Sequence, residues 1–250
     1  MRALIFDVDG TLADTESVHR TAFNAAFAEA GLDWHWDEPL YGRLLEVSGG
    51  KERITHYWTN VRGDLPAQDA STMTDTVKRL HDLKTAVYSR LVDGGVLQLR
   101  PGVRQLIESA CKAGLRLAIA TTTSPANIEA LLRSTLGTDG QARFEVIEDA
   151  ATAPRKKPHP QVYLQTLQRM DLDAAECLAF EDSANGLQAA TRAGLLTIVT
   201  PNAFTAHQDF SAALRILPSL QGVTIADLRA WHAAAAQPAA APENRVASHP

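Results

Sequence analysis

The tripeptide Ala-Gly-Leu closes a helical stretch three times, at 30–32, 113–115 and 193–195. After the second and third copies an apolar, β-prone run follows at once, Leu115 to Thr121 and Leu195 to Thr200. A glycine can take the left-handed conformation that ends a helix. An apolar run without polar alternation suits a strand covered on both faces. Arg2 to Asp7, Phe144 to Ile147 and Cys177 to Glu181 are three more runs of this kind, and helical patterns occupy about 102–113, 125–134, 160–170 and 184–193. Strands that alternate with helices predict an α/β fold, a Rossmann-like doubly wound parallel sheet with helices on both faces.

One long stretch breaks the alternation. From Asp14 to Ala30 the pattern is helical, with Val18, Ala22, Ala25 and Ala26 on one stripe and Phe23, Phe27 and Ala30 beside it. Asp14 is placed to be its N-cap and Gly31 its C′ residue. The segment from Trp34 to Gly95 carries no strong strand signal and has helical patterns at about 50–61 and 66–92. The expected organisation is a discontinuous core, 1–13 and 95–231, with a helical cap, 14–94, inserted after the first strand. The Ala- and Pro-rich end, 232–250, is expected to be a frayed or disordered tail.

Composition excludes some functions. A net charge of −5 argues against a general nucleic-acid surface, which needs a basic excess. No stretch approaches the length of a membrane span, and the apolar run Ala3 to Phe6 is too short for a signal segment. The two cysteines, Cys111 and Cys177, stand in no metal-ligand spacing and read as small buried hydrophobes. A cytoplasmic, monomeric protein without nucleic-acid or membrane partners is expected.

In open parallel sheets, ligands bind at the carboxyl ends of the strands. The first strand ends in Asp7 and Asp9, the second in Thr121, Thr122 and Thr123, and the fourth in Glu181 and Asp182; a later loop offers Lys156 and Lys157 before Pro158. Acids, hydroxyls and a lysine together suit phosphoryl transfer. A carboxylate can attack phosphorus and give an acyl phosphate that water cleaves. A hard cation such as Mg²⁺, held by Asp7 and Asp182 with Glu181 nearby, relieves the anionic repulsion of that attack. The threonine hydroxyls and backbone N–H groups can hold phosphate oxygens, and Lys157 can neutralise nucleophile and phosphate. Asp9 can protonate the leaving alkoxide and then deprotonate water.

Asp7-Val8-Asp9-Gly10-Thr11-Leu12, Thr121, Lys157-Pro158 and Glu181-Asp182-Ser183 resemble the four motifs of the haloacid dehalogenase-like hydrolase superfamily. The resemblance implies that Asp7 is the nucleophile, Asp9 the general acid/base, and Asp7, the Asp9 carbonyl and Asp182 the Mg²⁺ ligands. Thr11 to His19, Gly49-Gly50-Lys51-Glu52-Arg53-Ile54, Leu99-Arg100-Pro101-Gly102 and Ala120 to Ser124 are similar to one branch, the CbbY-type sugar-bisphosphate phosphatases. That branch implies removal of the 1-phosphate from xylulose-1,5-bisphosphate, an inhibitor of the carbon-fixing enzyme Rubisco in the Calvin cycle. A phosphomutase of the β-phosphoglucomutase kind, or a phosphatase of another small phosphosugar, is the alternative. A second phosphate needs cations away from the metal, and Lys51, Arg53 and Arg43 are the candidates. Glu16 and His19, three apart on the first cap helix, share a face and can contact sugar hydroxyls or Asp9.

Overall fold

The computed structural model describes residues 1–62 and 70–236. Six parallel strands form one sheet in the order β3-β2-β1-β4-β5-β6. They are β1 (Ala3–Phe6), β2 (Arg116–Ala120), β3 (Val146–Glu148), β4 (Cys177–Glu181), β5 (Leu196–Val199) and β6 (Arg215–Ile216). The first five fall within or beside the apolar runs of the sequence. β6 has two exposed residues, too few for a period to register. Side-chain alternation sends Leu4, Phe6, Leu117, Ile119, Leu178, Phe180 and Ile198 to one face. Ala3, Ile5, Ala118, Ala120, Cys177 and Ala179 go to the other. Helices α5 (Val103–Lys112), α6 (Pro125–Leu136) and α9 (Ile225–Ala236) supply residues to the first layer. Helices α7 (Gln161–Met170) and α8 (Ala184–Arg192) supply them to the second.

The inserted helices are α1 (Glu16–Glu29), α2 (Glu38–Leu44), α3 (Gly50–His56) and α4 (Ala70–Asp93). After α3 the chain continues as a π-helical stretch, Tyr57–Arg62. The short α2 left no periodic signature, yet it has a local start signal. Asp37 accepts a hydrogen bond from the Leu40 N–H at 2.8 Å, and Pro39 lies in the first turn. Asp14 is not the cap of α1: Thr15 precedes the helix, and Asp14 instead pairs with Arg100. Gly31, with φ of 72°, does follow the helix end as expected. Cys177 is buried, but Cys111 is exposed on α5, because its position faces away from the sheet. Helix α9 runs to Ala236, so the segment expected to fray begins inside a helix with His232 buried. The rest of that segment, and 66–69 of the expected cap helix, lie outside the described residues.

The cap has its own core, an aromatic cluster of Phe23, Phe27, Trp34, Trp36, Tyr41, Tyr57 and Trp58 with Ile54, Val77 and Leu80. Trp36 is fully buried, and its ring lies 4.7 to 6.0 Å from those of Phe23, Phe27, Tyr57 and Tyr41. Helices α1 and α4 belong to both layers: Val18, Ala22, Val87, Tyr88 and Val92 join the sheet's cluster, while Phe23, Phe27, Val77 and Leu80 join the cap's. The two connections between cap and core run side by side, with an antiparallel bridge between Ala13 and Leu99. The Arg100 N–H donates to Leu12 O at 2.8 Å beside that bridge.

Trp36→Ala removes a buried indole from the middle of the aromatic cluster, so a loss of about 3–5 kcal/mol is expected in urea unfolding. A loss below about 1 kcal/mol would show that the cluster does not hold the cap together.

Candidate active site

Phe6 of β1 pairs with Ile119 of β2 and Phe180 of β4. Because these strands are parallel and in register, the residues just past their ends share one rim. Those residues are Asp7, Thr121 and Asp182, the last beside Glu181, which closes β4. The Asp7 N–H donates to Phe180 O at 3.0 Å and the Thr121 N–H to Glu148 O at 3.0 Å, which extends the ladder into the site.

Lys157 enters from the loop between β3 and α7. Its Nζ donates to Asp7 Oδ1 at 2.6 Å, to Glu181 Oε1 at 2.6 Å and to Ala120 O at 3.0 Å. The neighbouring Lys156 donates to Ala150 O at 3.1 Å instead, so Lys157 is the lysine that meets the acids. Tyr163 of α7 closes the group from below. Its hydroxyl donates to Glu181 Oε1, and its ring lies 5.1 Å from Lys157 Nζ.

Asp7, Glu181 and Asp182 are all buried, and one oxygen of each lies within 4.8 Å of the others. Burial pushes the Asp7 carboxyl up to about 7 against the pull of Lys157, with Glu181 and Asp9 adding repulsion. Burial, with the charges of Asp7 and Glu181, holds Asp182 well above the usual carboxylate range. Burial opposes the Lys157 charge, but Asp7 and Glu181 outweigh it and raise that ammonium above its ordinary value. Three carboxylates and one ammonium leave a formal charge of −2. A divalent cation is the electrostatic complement, and an all-oxygen donor set suits a hard one. Glu181 Oε2 is buried with no hydrogen-bond partner, while Asp182 Oδ2 accepts from Asn202 Nδ2 at 2.7 Å. Two glycines leave the room these acids occupy. A Cβ at Gly10 would sit 2.2 Å from Asp182 Oδ2, and one at Gly186 would sit 1.9 Å from Glu181 Oε2. The residues present therefore fit a divalent cation.

Asp9 is half-buried one step further along the loop. Thr15 Oγ1 donates to its Oδ1 at 2.8 Å, and His19 Nε2 meets the same oxygen at 2.8 Å. Behind His19 stands Lys84 of α4, whose Nζ donates to His19 Nδ1 at 2.8 Å. An ionised Asp9 can only accept, so the ring proton sits on Nε2, facing it, and Nδ1 of the neutral ring accepts from Lys84. Burial and the Lys84 charge lower the His19 pKa, which keeps the ring neutral. Burial pulls Lys84 itself down to about 7. Burial would raise Asp9, but His19, Thr15 and Lys84 together outweigh it and hold Asp9 well below the usual range. Lys84 is a residue of the cavity lining that the sequence reading missed. It had a signal: on α4 it stands between Leu80 and Tyr88 at four-residue steps, a charged residue in the phase of the buried face.

Core and cap enclose a cavity of about 630 Å³, the size of a pocket for a small ligand. Asp7, Asp9, Thr121, Thr122, Thr123, Lys157 and Asp182 line the core side; Glu16, His19, Lys51 and Arg53 line the cap side. Thr123 is oriented by Asn127, whose Nδ2 donates to its Oγ1 at 2.9 Å. Glu16 accepts from the Tyr41 hydroxyl at 3.0 Å. Arg53 is largely committed within the cap: it donates to Leu44 O, Val47 O and the Tyr41 hydroxyl at 3.0 to 3.3 Å. Arg43 is exposed on α2 and is not among the residues that line the cavity.

A parallel sheet whose central strand ends in a lysine-paired aspartate, beneath an inserted helical cap, defines a class. Residues 1–194 match the haloacid dehalogenase-like hydrolase family, and the chain belongs to that family as a phosphoric monoester hydrolase. Within it the chain is CbbY-like. It is 52% identical to the plasmid-encoded CbbY protein of Cupriavidus necator over 248 residues, 93% of this chain and 97% of the relative. Its fold matches CbbY of Rhodobacter sphaeroides in complex with phosphate, with a TM-score of 0.85 and 42% identity over 92% of this chain and 99% of that one. A variant of the same R. sphaeroides protein, in complex with xylulose-1,5-bisphosphate, matches with a TM-score of 0.85 and 41% identity over 91% and 99% of the two chains.

Lys84→Met leaves His19 Nδ1 without its donor and frees the ring to take either tautomer. Turnover is expected to fall about 10- to 100-fold. The thermal midpoint should not fall, since a buried amine is removed. Unchanged kcat would show that the Lys84–His19 contact has no part in turnover.

Proposed function

We propose that the chain is a Mg²⁺-dependent phosphatase that removes the 1-phosphate of xylulose-1,5-bisphosphate, an inhibitor of Rubisco, through a phospho-aspartate. The observation that carries this reading is the buried Asp7 carboxylate. It is held by Lys157, faces Asp182, and lies at the floor of a cavity walled by both core and cap. The R. sphaeroides complex with the bisphosphate supports the substrate.

In this reading Asp7 is the nucleophile. Lys157 fixes one of its oxygens and keeps a positive charge beside the incoming phosphate. Asp7 attacks phosphorus, the bond from phosphorus to the sugar oxygen breaks, and the leaving oxygen takes a proton from Asp9. Water then attacks phosphorus and gives its proton to Asp9. The acyl-phosphate bond breaks, and inorganic phosphate and free Asp7 result. Thr121, with the hydroxyls and backbone of Thr122 and Thr123, holds the phosphoryl oxygens. Mg²⁺, held by Asp7, the Asp9 carbonyl and Asp182 with Glu181 beside them, would neutralise charge on the transferring phosphoryl group.

The low pKa of Asp9 suits the second half of this cycle, in which a carboxylate accepts a proton from water. The first half needs Asp9 protonated, and a phosphate dianion entering beside it raises its pKa. Both hydrogen bonds to Asp9 fall on Oδ1, so Oδ2 is the atom that can carry the transferable proton. On the cap side, Lys51 is exposed in the cavity wall and is the cation best placed for the second phosphate. Glu16 and His19 lie between the two ends and can meet sugar hydroxyls.

Phosphate release from xylulose-1,5-bisphosphate should require Mg²⁺ and stop in excess EDTA, and Asp7→Asn should lower it at least about a thousandfold with the fold intact. Full turnover in EDTA, or isomerised monophosphate without phosphate release, would overturn the assignment. Lys51→Ala should lower kcat/KM for the bisphosphate about tenfold more than for p-nitrophenyl phosphate. Equal losses on both substrates would remove Lys51 from a second phosphate site.

A further inference from the structure

Arg100 lies at the end of the chain's return from the cap, and its side chain is turned inward and buried. Its Nη1 donates to the carbonyls of Gly10 and Thr200, at 2.5 and 2.6 Å, and to the Thr200 hydroxyl at 3.1 Å. Its Nη2 donates to Pro201 O at 2.8 Å. Only Nε turns outward, 3.2 Å from Asp14 Oδ1, on a side chain that is 68% exposed. One guanidinium thus ties together the loop after β1 and the loop after β5.

Those two loops meet again at one other side chain, Asp182. Gly10 lies so close to it that a Cβ would stand 2.2 Å from Oδ2 and 2.7 Å from Asn202 Nδ2. Asn202, the residue after Pro201, donates to that same Oδ2 at 2.7 Å. Asp182 is therefore gripped between Gly10 and Asn202, and Arg100 holds the backbone on both sides of the grip. Buried carbonyls need donors, and a planar fork with five N–H groups can meet four acceptors and still face Asp14, more than the three N–H groups of an ammonium can serve.

We propose that Arg100 is a positioning residue for the Asp182 carboxylate: by fixing Gly10 and Thr200–Pro201 it sets the orientation in which Asp182 meets a divalent cation. This rests on the reading of Asp182 as a cation ligand. Arg100 touches neither the cation site nor the cavity's phosphate side, so its effect falls on the cation and not on the phosphate ester. Side chains that hydrogen-bond a metal-binding carboxylate govern affinity about 10- to 100-fold; Asn202 is that partner of Asp182, and Arg100 acts through the backbone that carries it.

The test is calorimetric titration of the metal-free protein with Mg²⁺, alongside the Mg²⁺ dependence of p-nitrophenyl phosphate hydrolysis. Arg100→Met should weaken Mg²⁺ binding about tenfold or more and raise the Mg²⁺ half-saturation by the same factor, with KM for the ester at saturating Mg²⁺ unchanged. Arg100→Lys, which keeps a donor and the charge, should lie between the two, and it carries the test if Arg100→Met does not fold. Asp14→Ala removes only the exposed contact and should leave Mg²⁺ affinity as it is. A folded Arg100→Met or Arg100→Lys protein with parental Mg²⁺ affinity overturns the proposal, even if its thermal midpoint drops. Failure of the parental protein to bind Mg²⁺ overturns the cation reading itself, and this proposal with it.

Discussion

The buried ammonium of Lys157 is the contact on which the rest of the site depends. It is the positive charge that lets Asp7 and Glu181 stand together inside the protein. Removing one partner of such a group strands the other charges in a low-dielectric interior, so the arrangement holds only as a set. The sheet meets this demand. Parallel register brings Asp7, Glu181, Asp182 and Thr121 to one rim, and the loop after β3 lowers the lysine among them. The site keeps a formal charge of −2, which a divalent cation would balance.

Much of the sheet was legible because its strands are short apolar runs between glycine-ended helices. That pattern depends only on neighbours in sequence. What it missed was either too short or aperiodic: β6 has two residues, and α2 has seven beginning at a capped turn. Asp14 was misread for a different reason. An acid before a helical stretch looks like a cap, but here Thr15 spends its hydroxyl on Asp9 and Asp14 faces Arg100. A long-range partner overrode a local preference, and the sequence holds no local record of Arg100 lying opposite.

The catalytic candidates were legible because Asp7, Thr121 and Asp182 follow strand ends, and Lys157 stands beside a proline in the loop after β3. The residues around them were not, because they come from elements far away in the chain. Lys84 is 65 residues from His19, and Asn202 is 20 from Asp182. Lys84 shows how such residues can be found: a charged side chain in the inward phase of a helix needs a buried partner, and the partner is the unpaired face of a site. Arg53 shows the opposite case. Its position near Lys51 suggested a phosphate contact, but the Leu44 and Val47 carbonyls and the Tyr41 hydroxyl take three of its donors.

Helices α1 and α4 carry side chains into both the sheet's cluster and the aromatic cluster of the cap. Neither helix can lose its place in one layer without exposing apolar surface in the other. The cap is therefore coupled to the sheet during unfolding as well as in the native state. Heat or denaturant should meet one cooperative unit across the described residues, not a stable sheet with a cap that melts early. The cavity lies between the two layers, so the same sharing of helices that makes it a cleft also ties its survival to that of the whole fold.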